Sequence, residues 1–366
     1  MEVVWLPEPG DWESSWLRQK PAMSLNPVPT RRKSTLRDFY RRGRRSLIQA
    51  WRPVRNQIPL LAPYRKAEIH VVREGALGDV LMATPALRRV KELNPKCRVT
   101  FYTHFANLVR GLPFIDEVLP VDAAPTGNAI LLRYENLVPV RRHIAGIFGE
   151  ILGVDIRNNR PSCVLDPRLL DHYRQEFRDL PRPWIIVNRK AGTWSPNKNW
   201  PDLHWRELIG RLMRWASVIE TGKGVAVERP GVQGSYVNLV DQLSLEALAA
   251  ATAAADLHVG PDSGPMHLAA AFDVPAVVIF GGYIEPSCTS YPGNIDLYSP
   301  VPCAPCWLTE LCPFGHPCLH QITPQQVEEA LKQLWEHKNQ AGRRGPLVPT
   351  DDHDTAFSMS HDLSET

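Results

Sequence analysis

The sequence predicts an α/β protein built from doubly wound parallel sheets, on three observations. Strand-length apolar runs alternate with helical periodicity from about residue 67 to residue 338. Breaker clusters with Gly sit where a strand would hand over to a helix, at Gly75–Asp79 and Gly260–Pro265. One stretch, residues 254–282, reads as a complete strand–turn–helix–turn–strand unit, and such a unit requires parallel strands with the helix on a face. A length of 366 residues fits two such domains.

Residues 1–66 form a basic arm. They carry 14 Lys and Arg against 5 Asp and Glu, whereas the other 300 residues carry 28 against 34. The net charge of +3 therefore belongs to the arm and not to the folded body. The first 30 residues are rich in Pro, Trp and Ser and predict little fixed structure. From about 34 to 52 a 3.6 period appears, with Leu36, Phe39, Tyr40, Leu47, Ile48 and Trp51 on one stripe and Arg37, Arg41, Arg44 and Arg45 around it. Such a helix suits either an anionic membrane surface, met through residues 31–55, or packing on the body. No base-reading motif accompanies the arginines, so nucleic acid is not expected.

The first domain is expected over residues 67–180. Ile69–Val72 reads as a strand that runs into Gly75-Ala76-Leu77-Gly78-Asp79, where the two glycines permit a tight turn. Asp79 then falls at a strand's carboxyl end, where open α/β sheets place ligands. Thr84-Pro85 starts or kinks a helix faced by Ala86, Leu87, Val90 and Leu93. Val99–Tyr102 and Glu117–Pro120 predict further strands, and Arg133–Leu152 a mainly helical stretch.

The second domain is expected over residues 181–338. Trp184–Val187 predicts a strand, followed by a polar loop through Thr193 and Lys198. Pro201 opens a helix with Trp205, Leu208, Ile209 and Leu212 on its stripe. Ala216–Glu220, a helix over Leu245–Ala255, and the 254–282 unit follow. In that unit the turn Asp262-Ser263-Gly264-Pro265 opens a helix whose free N–H groups, with His267 in the first turn, present a site for a diphosphate. The alternative is that Asp262 and Ser263 only cap the helix while His267 packs on the sheet. Residues 339–366 predict a disordered tail; its Asp352-His353-Asp354 string is a chance match.

Four of seven cysteines are bunched as Cys303, Cys306, Cys312 and Cys318, among prolines. That set suits a structural Zn or Fe site, or else reduced or disulfide-paired thiols, in a cytoplasmic protein. The first 30 residues hold Glu2, Glu8, Asp11 and Glu13 and no apolar stretch of the kind a secretory leader needs, so none is expected, and no run of 18 apolar residues predicts a membrane span.

Three stretches together resemble the lipopolysaccharide heptosyltransferase family of GT-B glycosyltransferases. They are Gly78-Asp79-Val80-Leu81 with Thr84-Pro85-Ala86-Leu87, Lys198-Asn199-Trp200-Pro201 with Trp205-Arg206-Glu207-Leu208, and Asp262 through Ala270. The resemblance covers roughly Ala67 to Leu331. It implies two Rossmann-like domains facing a cleft, a nucleotide-sugar in the second and the acceptor on the first. By the same resemblance Asp79 is the general base and Lys198 a diphosphate contact. Thr193, Asp262, Ser263, Gly264 and His267 touch the donor, and the Leu243 backbone meets its nucleobase. The family's ribose-binding acid has no clean match, Glu228 being the nearest. The implied reaction is metal-independent, inverting transfer of heptose from ADP-heptose to a lipopolysaccharide core or related lipid-linked glycan. No cofactor is needed for catalysis, and the enzyme works in the cytoplasm or peripherally on the inner face of the membrane. The alternatives are another GT-B enzyme using a different nucleotide-sugar and a non-catalytic nucleotide-sugar-binding protein.

Overall fold

A computed structural model describes residues 2–5, 62–192 and 194–344. The expected helix over 34–52, the membrane contact of residues 31–55, Thr193 and the tail beyond 344 lie outside the described residues.

In chain order the strands are β1 (Glu2–Trp5), β2 (Glu68–Arg73), β3 (Arg98–Thr103), β4 (Glu117–Leu119), β5 (Ala129–Leu131), β6 (Trp184–Asn188), β7 (Ser217–Thr221), β8 (Ser235–Asn238), β9 (Leu257–Pro261), β10 (Ala276–Gly281) and β11 (Ile295–Tyr298). The helices are α1 (Leu77–Leu93), α2 (Ala106–Val109), α3 (Ile144–Leu152), α4 (Pro167–Glu176), α5 (Asp202–Leu212), α6 (Leu245–Ala254), α7 (Gly264–Ala271), α8 (Pro317–His320) and α9 (Pro324–Arg344). They build two sheets with every paired neighbour parallel: a four-stranded one ordered β4-β3-β2-β5, and a seven-stranded one ordered β1-β11-β10-β9-β6-β7-β8. Parallel sheets need both faces covered, and helices cover them here.

Several expectations change. Residues 2–5 are a strand, not irregular chain: Glu2 to Trp5 pair in register with Ile295 to Tyr298 and extend the second sheet. A Val-rich run completes an otherwise open edge. Arg133–Leu152 is helical only from Ile144, after one 3-10 turn at Glu135–Leu137. Pro139 has no N–H to give and holds Val138 extended, which breaks the pattern. Pro85, by contrast, lies inside a continuous α1. The last helix runs to Arg344, past the expected end at 338.

Helix α4 falls within the expected first domain but packs on the second sheet. Its Tyr173, with Phe177 just beyond, joins Trp184, Ile186 and Ile219 in one apolar cluster. The two sheets also share a core. Ile69, Val80, Phe101 and Phe148 of the first unit are continuous with Met266, Val278, Phe280 and Tyr283 of the second. A second contact joins Leu77 and Leu81 to Leu248, Ala249 and Leu268. Burial on this scale fixes how the two turns at the carboxyl ends of β2 and β9 meet.

Candidate active site

The turn after β2 carries Asp79 into the third position of α1. Its Oδ2 accepts the Ala76 N–H at 2.9 Å, one half of a capping box whose other half the Ala76 methyl cannot supply. Asp79 is therefore a capping residue, but the same oxygen also pairs with Arg73 at 3.1 Å. Arg73 ends β2 with a side chain only 2% exposed. It holds Glu135 at 2.8 Å, donates to the Leu132 carbonyl at 2.8 Å, and lies between the rings of Tyr134 and Phe148. Burial opposes its charge, yet Asp79 and Glu135 outweigh burial and raise its pKa. Beside this group the Tyr134 phenol is held protonated, first by burial and then by the Asp79 charge.

Across the cleft, Lys198 ends the short 3-10 turn Pro196–Lys198. Its Nζ pairs with Asp262 Oδ2 at 2.6 Å and sits 4.8 Å from the centroid of the Tyr283 ring. Asp262 is buried at the end of β9. Desolvation pulls the two groups toward neutrality, and their mutual attraction overcomes it: Lys198 is raised and Asp262 lowered. Asp79 also raises Lys198, so the two turns act on each other electrostatically. The Tyr283 hydroxyl accepts the indole N–H of Trp194 at 2.9 Å.

The turn Asp262–Pro265 opens α7 as the sequence suggests. Gly264 and Pro265 are the first two helical residues. Ser263 stands at the cap but makes no side-chain cap bond; its hydroxyl donates to the Pro261 carbonyl at 3.2 Å. Asp262 and Ser263 thus do not serve merely as caps, and α7's first N–H groups are not taken by a side-chain cap. His267 does not reach into open solvent. It is 3% exposed, its Nδ1 bonds the Tyr291 hydroxyl at 2.6 Å, and its other edge lies on Gly78. Burial lowers its pKa to about 4, so at neutral pH the ring offers a hydrogen bond and no charge.

Both glycines of these turns are needed for closeness. A Cβ on Gly78 would lie 2.5 Å from His267 Cδ2, and one on Gly264 would lie 2.9 Å from Leu77 Cδ2. On Gly75 it would lie 2.5 Å from Asp79 Oδ2. The positive ends of α1 and α7 therefore converge beside Lys198. Leu243 packs with Leu77 and Leu268 at the same interdomain contact. Glu228 is elsewhere: it is 80% exposed and pairs with Arg206 at 3.3 Å.

The four clustered cysteines share one neighbourhood: burial, then Cys306 and Cys312, raise the pKa of Cys303, and burial, then Cys306, Cys303 and Cys312, raise that of Cys318. Cys303 is exposed, Cys306 and Cys312 are half-buried, and Cys318 is buried at the start of α8 against Gly281 and Gly282. Among the described residues no three Cys, His, Asp or Glu side chains are close enough to hold one metal ion. The expected Zn or Fe site is not built by this arrangement. Also among the described residues, no helix is long and apolar enough to cross a membrane.

Arg73, Tyr134, Glu135, Tyr283 and Tyr291 were not legible as site residues. Only Tyr283, directly after Gly281-Gly282 at a strand end, carried a local signal.

With this geometry in hand, similarity to known proteins is informative. Residues 135–294 match the model of glycosyltransferase family 9 (heptosyltransferase). Lipopolysaccharide heptosyltransferase 1 of Pseudomonas aeruginosa is 35% identical over 187 residues, covering 45% of this chain and 52% of that one. The chain thus spans about half the length of that relative. Lipooligosaccharide heptosyltransferase 2 of Campylobacter jejuni is 30% identical over 313 residues, 70% of this chain and 95% of that one. The solved structure of Escherichia coli ADP-heptose lipopolysaccharide heptosyltransferase II superposes with a TM-score of 0.57 at 19% identity, covering 74% of this chain and 99% of that one.

Proposed function

The chain belongs to glycosyltransferase family 9, the heptosyltransferases, and from that premise we propose that it transfers heptose from ADP-heptose to a lipopolysaccharide core or related lipid-linked glycan. What supports this reading is that Asp79, at the start of α1, lies near enough to the Lys198–Asp262 pair before α7 to act electrostatically on Lys198, while the Gly78 and Gly264 turns pack closely on the opposite domain.

In the proposed reaction the acceptor hydroxyl gives its proton to the Asp79 carboxylate as its oxygen bonds the anomeric carbon. The bond from that carbon to the diphosphate breaks on the opposite side, and ADP leaves with the electron pair. Attack opposite the leaving group inverts the anomeric centre. Lys198 and the N–H groups of α7 stabilise the charge that grows on the diphosphate, so no metal is required. His267 supports them as a neutral donor. Arg73 keeps Asp79 aimed, and Glu135 balances Arg73. Ser263, Gly264 and Thr193 are proposed to line the donor site, and the Leu243 backbone to meet the nucleobase.

Residues 31–55 carry ten Lys and Arg against one Asp. They are proposed as a peripheral contact with the anionic inner face of the membrane, where a lipid-linked acceptor is met. Nucleotide release tests the central reading. The full chain is offered ADP-heptose, GDP-sugars and UDP-sugars with a lipopolysaccharide-core acceptor. ADP release that needs both ADP-heptose and acceptor supports it. Release only from a GDP- or UDP-sugar, or binding of ADP-heptose without release, contradicts it.

A further inference from the structure

Asn197, the residue before Lys198, is 3% exposed. Its amide is fully used. Nδ2 donates to the Leu308 carbonyl at 2.9 Å and the Glu310 carbonyl at 2.7 Å. Oδ1 accepts the Cys312 N–H at 3.0 Å and Nε2 of His316 at 2.7 Å. A primary amide has two N–H donors and two acceptor lone pairs, and all four are spent here. His316 accordingly carries its ring proton on Nε2.

All four partners belong to one irregular segment, residues 308–316, far downstream in sequence. Ser195 adds a fifth tie, its hydroxyl donating to the Leu308 carbonyl at 2.7 Å. The same loop is anchored on its other side beneath Lys198. The Cys306 N–H donates to the Gly282 carbonyl and the Trp307 N–H to the Tyr283 carbonyl, each at 3.1 Å. The rings of Trp307 and Tyr283 lie 5.8 Å apart, and Tyr283 is the ring that faces the Lys198 ammonium. The cysteine-bearing loop therefore grips both the residue before Lys198 and the ring beneath it.

A three-residue 3-10 turn supplies little backbone restraint of its own. Lys198 has a flexible four-carbon stem, so the place of its charge depends on what fixes the turn. We propose that Asn197 is a positioning residue for donor binding: its amide locks residues 308–316 onto the 195–198 turn and so holds the Lys198 ammonium between Asp262 and Tyr283, ready for the donor's diphosphate. The inference rests on the reading of Lys198 as a diphosphate contact.

Calorimetric titration of the full chain with ADP tests it. Asn197→Ala should weaken ADP by about tenfold or more, the worth of one misplaced charge-assisted contact. His316→Ala removes one bond of the four, is milder to the fold, and should weaken ADP by a smaller factor. The deciding comparison is in the Lys198→Met/Asp262→Asn background, which removes the cation without stranding its carboxylate. If Asn197 and His316 act through Lys198, neither substitution weakens ADP further there. Losses that multiply in that background overturn the proposal, as does unchanged ADP affinity in both single variants. A wild-type protein that fails to bind ADP overturns the reading of Lys198 itself, and this inference with it.

Discussion

Gly78 lies directly on the imidazole of His267, close enough that a Cβ would come within 2.5 Å of the ring. One residue belongs to the turn that presents Asp79, the other to the helix that opens after Asp262. The contact sets the spacing between the proposed base and the proposed donor site.

Substituting Gly78 measures that contact. Its backbone is ordinary helix, so Ala would by propensity stabilise α1 by up to about 1 kcal/mol. The clash should reverse the sign, and Gly78→Ala is expected to cost about 1–3 kcal/mol by overpacking and to reduce turnover. In a His267→Ala background the same change should cost little or help, because the ring is gone. Denaturant unfolding of the four proteins checks this, and equal costs in both backgrounds would refute the contact.

The Lys198–Asp262 pair makes a second, separate prediction. Asp262 is buried, so Lys198→Met leaves a carboxylate with no cation and should destabilise by about 3–5 kcal/mol. Adding Asp262→Asn should recover much of that stability while leaving ADP affinity as weak as in Lys198→Met alone. Stability that stays lost in the double variant would argue against the pairing.

Which parts of this site were readable beforehand follows from the range of the interactions. The turns at Gly75–Asp79 and Asp262–Gly264 announce themselves because a strand-to-helix turn is written in adjacent residues. Arg73 and Glu135 meet at 2.8 Å although 62 positions apart, and nothing local to either marks the pair. His267 reads either as an anion donor in the first turn of a helix or as a ring packed on the sheet, and only the distant Tyr291 and Gly78 show that it is buried. The cysteines differ again: their spacing suggests a ligand set and the fold does bring them into one neighbourhood, but among the described residues no three ligand side chains come close enough to hold a metal ion. Helix α4 is readable as a helix, whereas the sheet it covers depends on where Tyr173 finds its neighbours.

Acid should weaken the fold. His143, His258 and His267 are lowered by burial to about 4, 3 and 4. Between an ordinary His pKa of about 6.5 and those values, the unfolded chain binds protons that the folded chain refuses. Stability is therefore complete above that range and falls as pH drops through it. Asp296, raised by burial to about 7, works in the opposite sense, since the folded form keeps a proton that the unfolded form releases. Three rings against one carboxyl leave a net loss. Urea midpoints from pH 7.5 to 4.5 should decline, and a flat or rising series would contradict these assignments.

Metal independence is tested by chelation. Brief excess chelator should leave the initial rate of ADP release unchanged, because in the proposed reaction Lys198 and the first turn of α7 take up the diphosphate's charge. A rate lost to chelator and restored by Mg²⁺ or Mn²⁺ would show that a cation carries that charge.

The central claim is that Asp79 takes the acceptor's proton, and Asp79→Asn tests it most directly. The amide keeps the side chain's size and an oxygen for the Ala76 N–H, but it cannot accept the proton. Measured side by side, ADP affinity should stay within about twofold of wild type, while turnover with saturating ADP-heptose and acceptor falls by at least about 100-fold, the usual contribution of a general base. Turnover within about tenfold of wild type in the folded, ADP-binding variant would contradict the account.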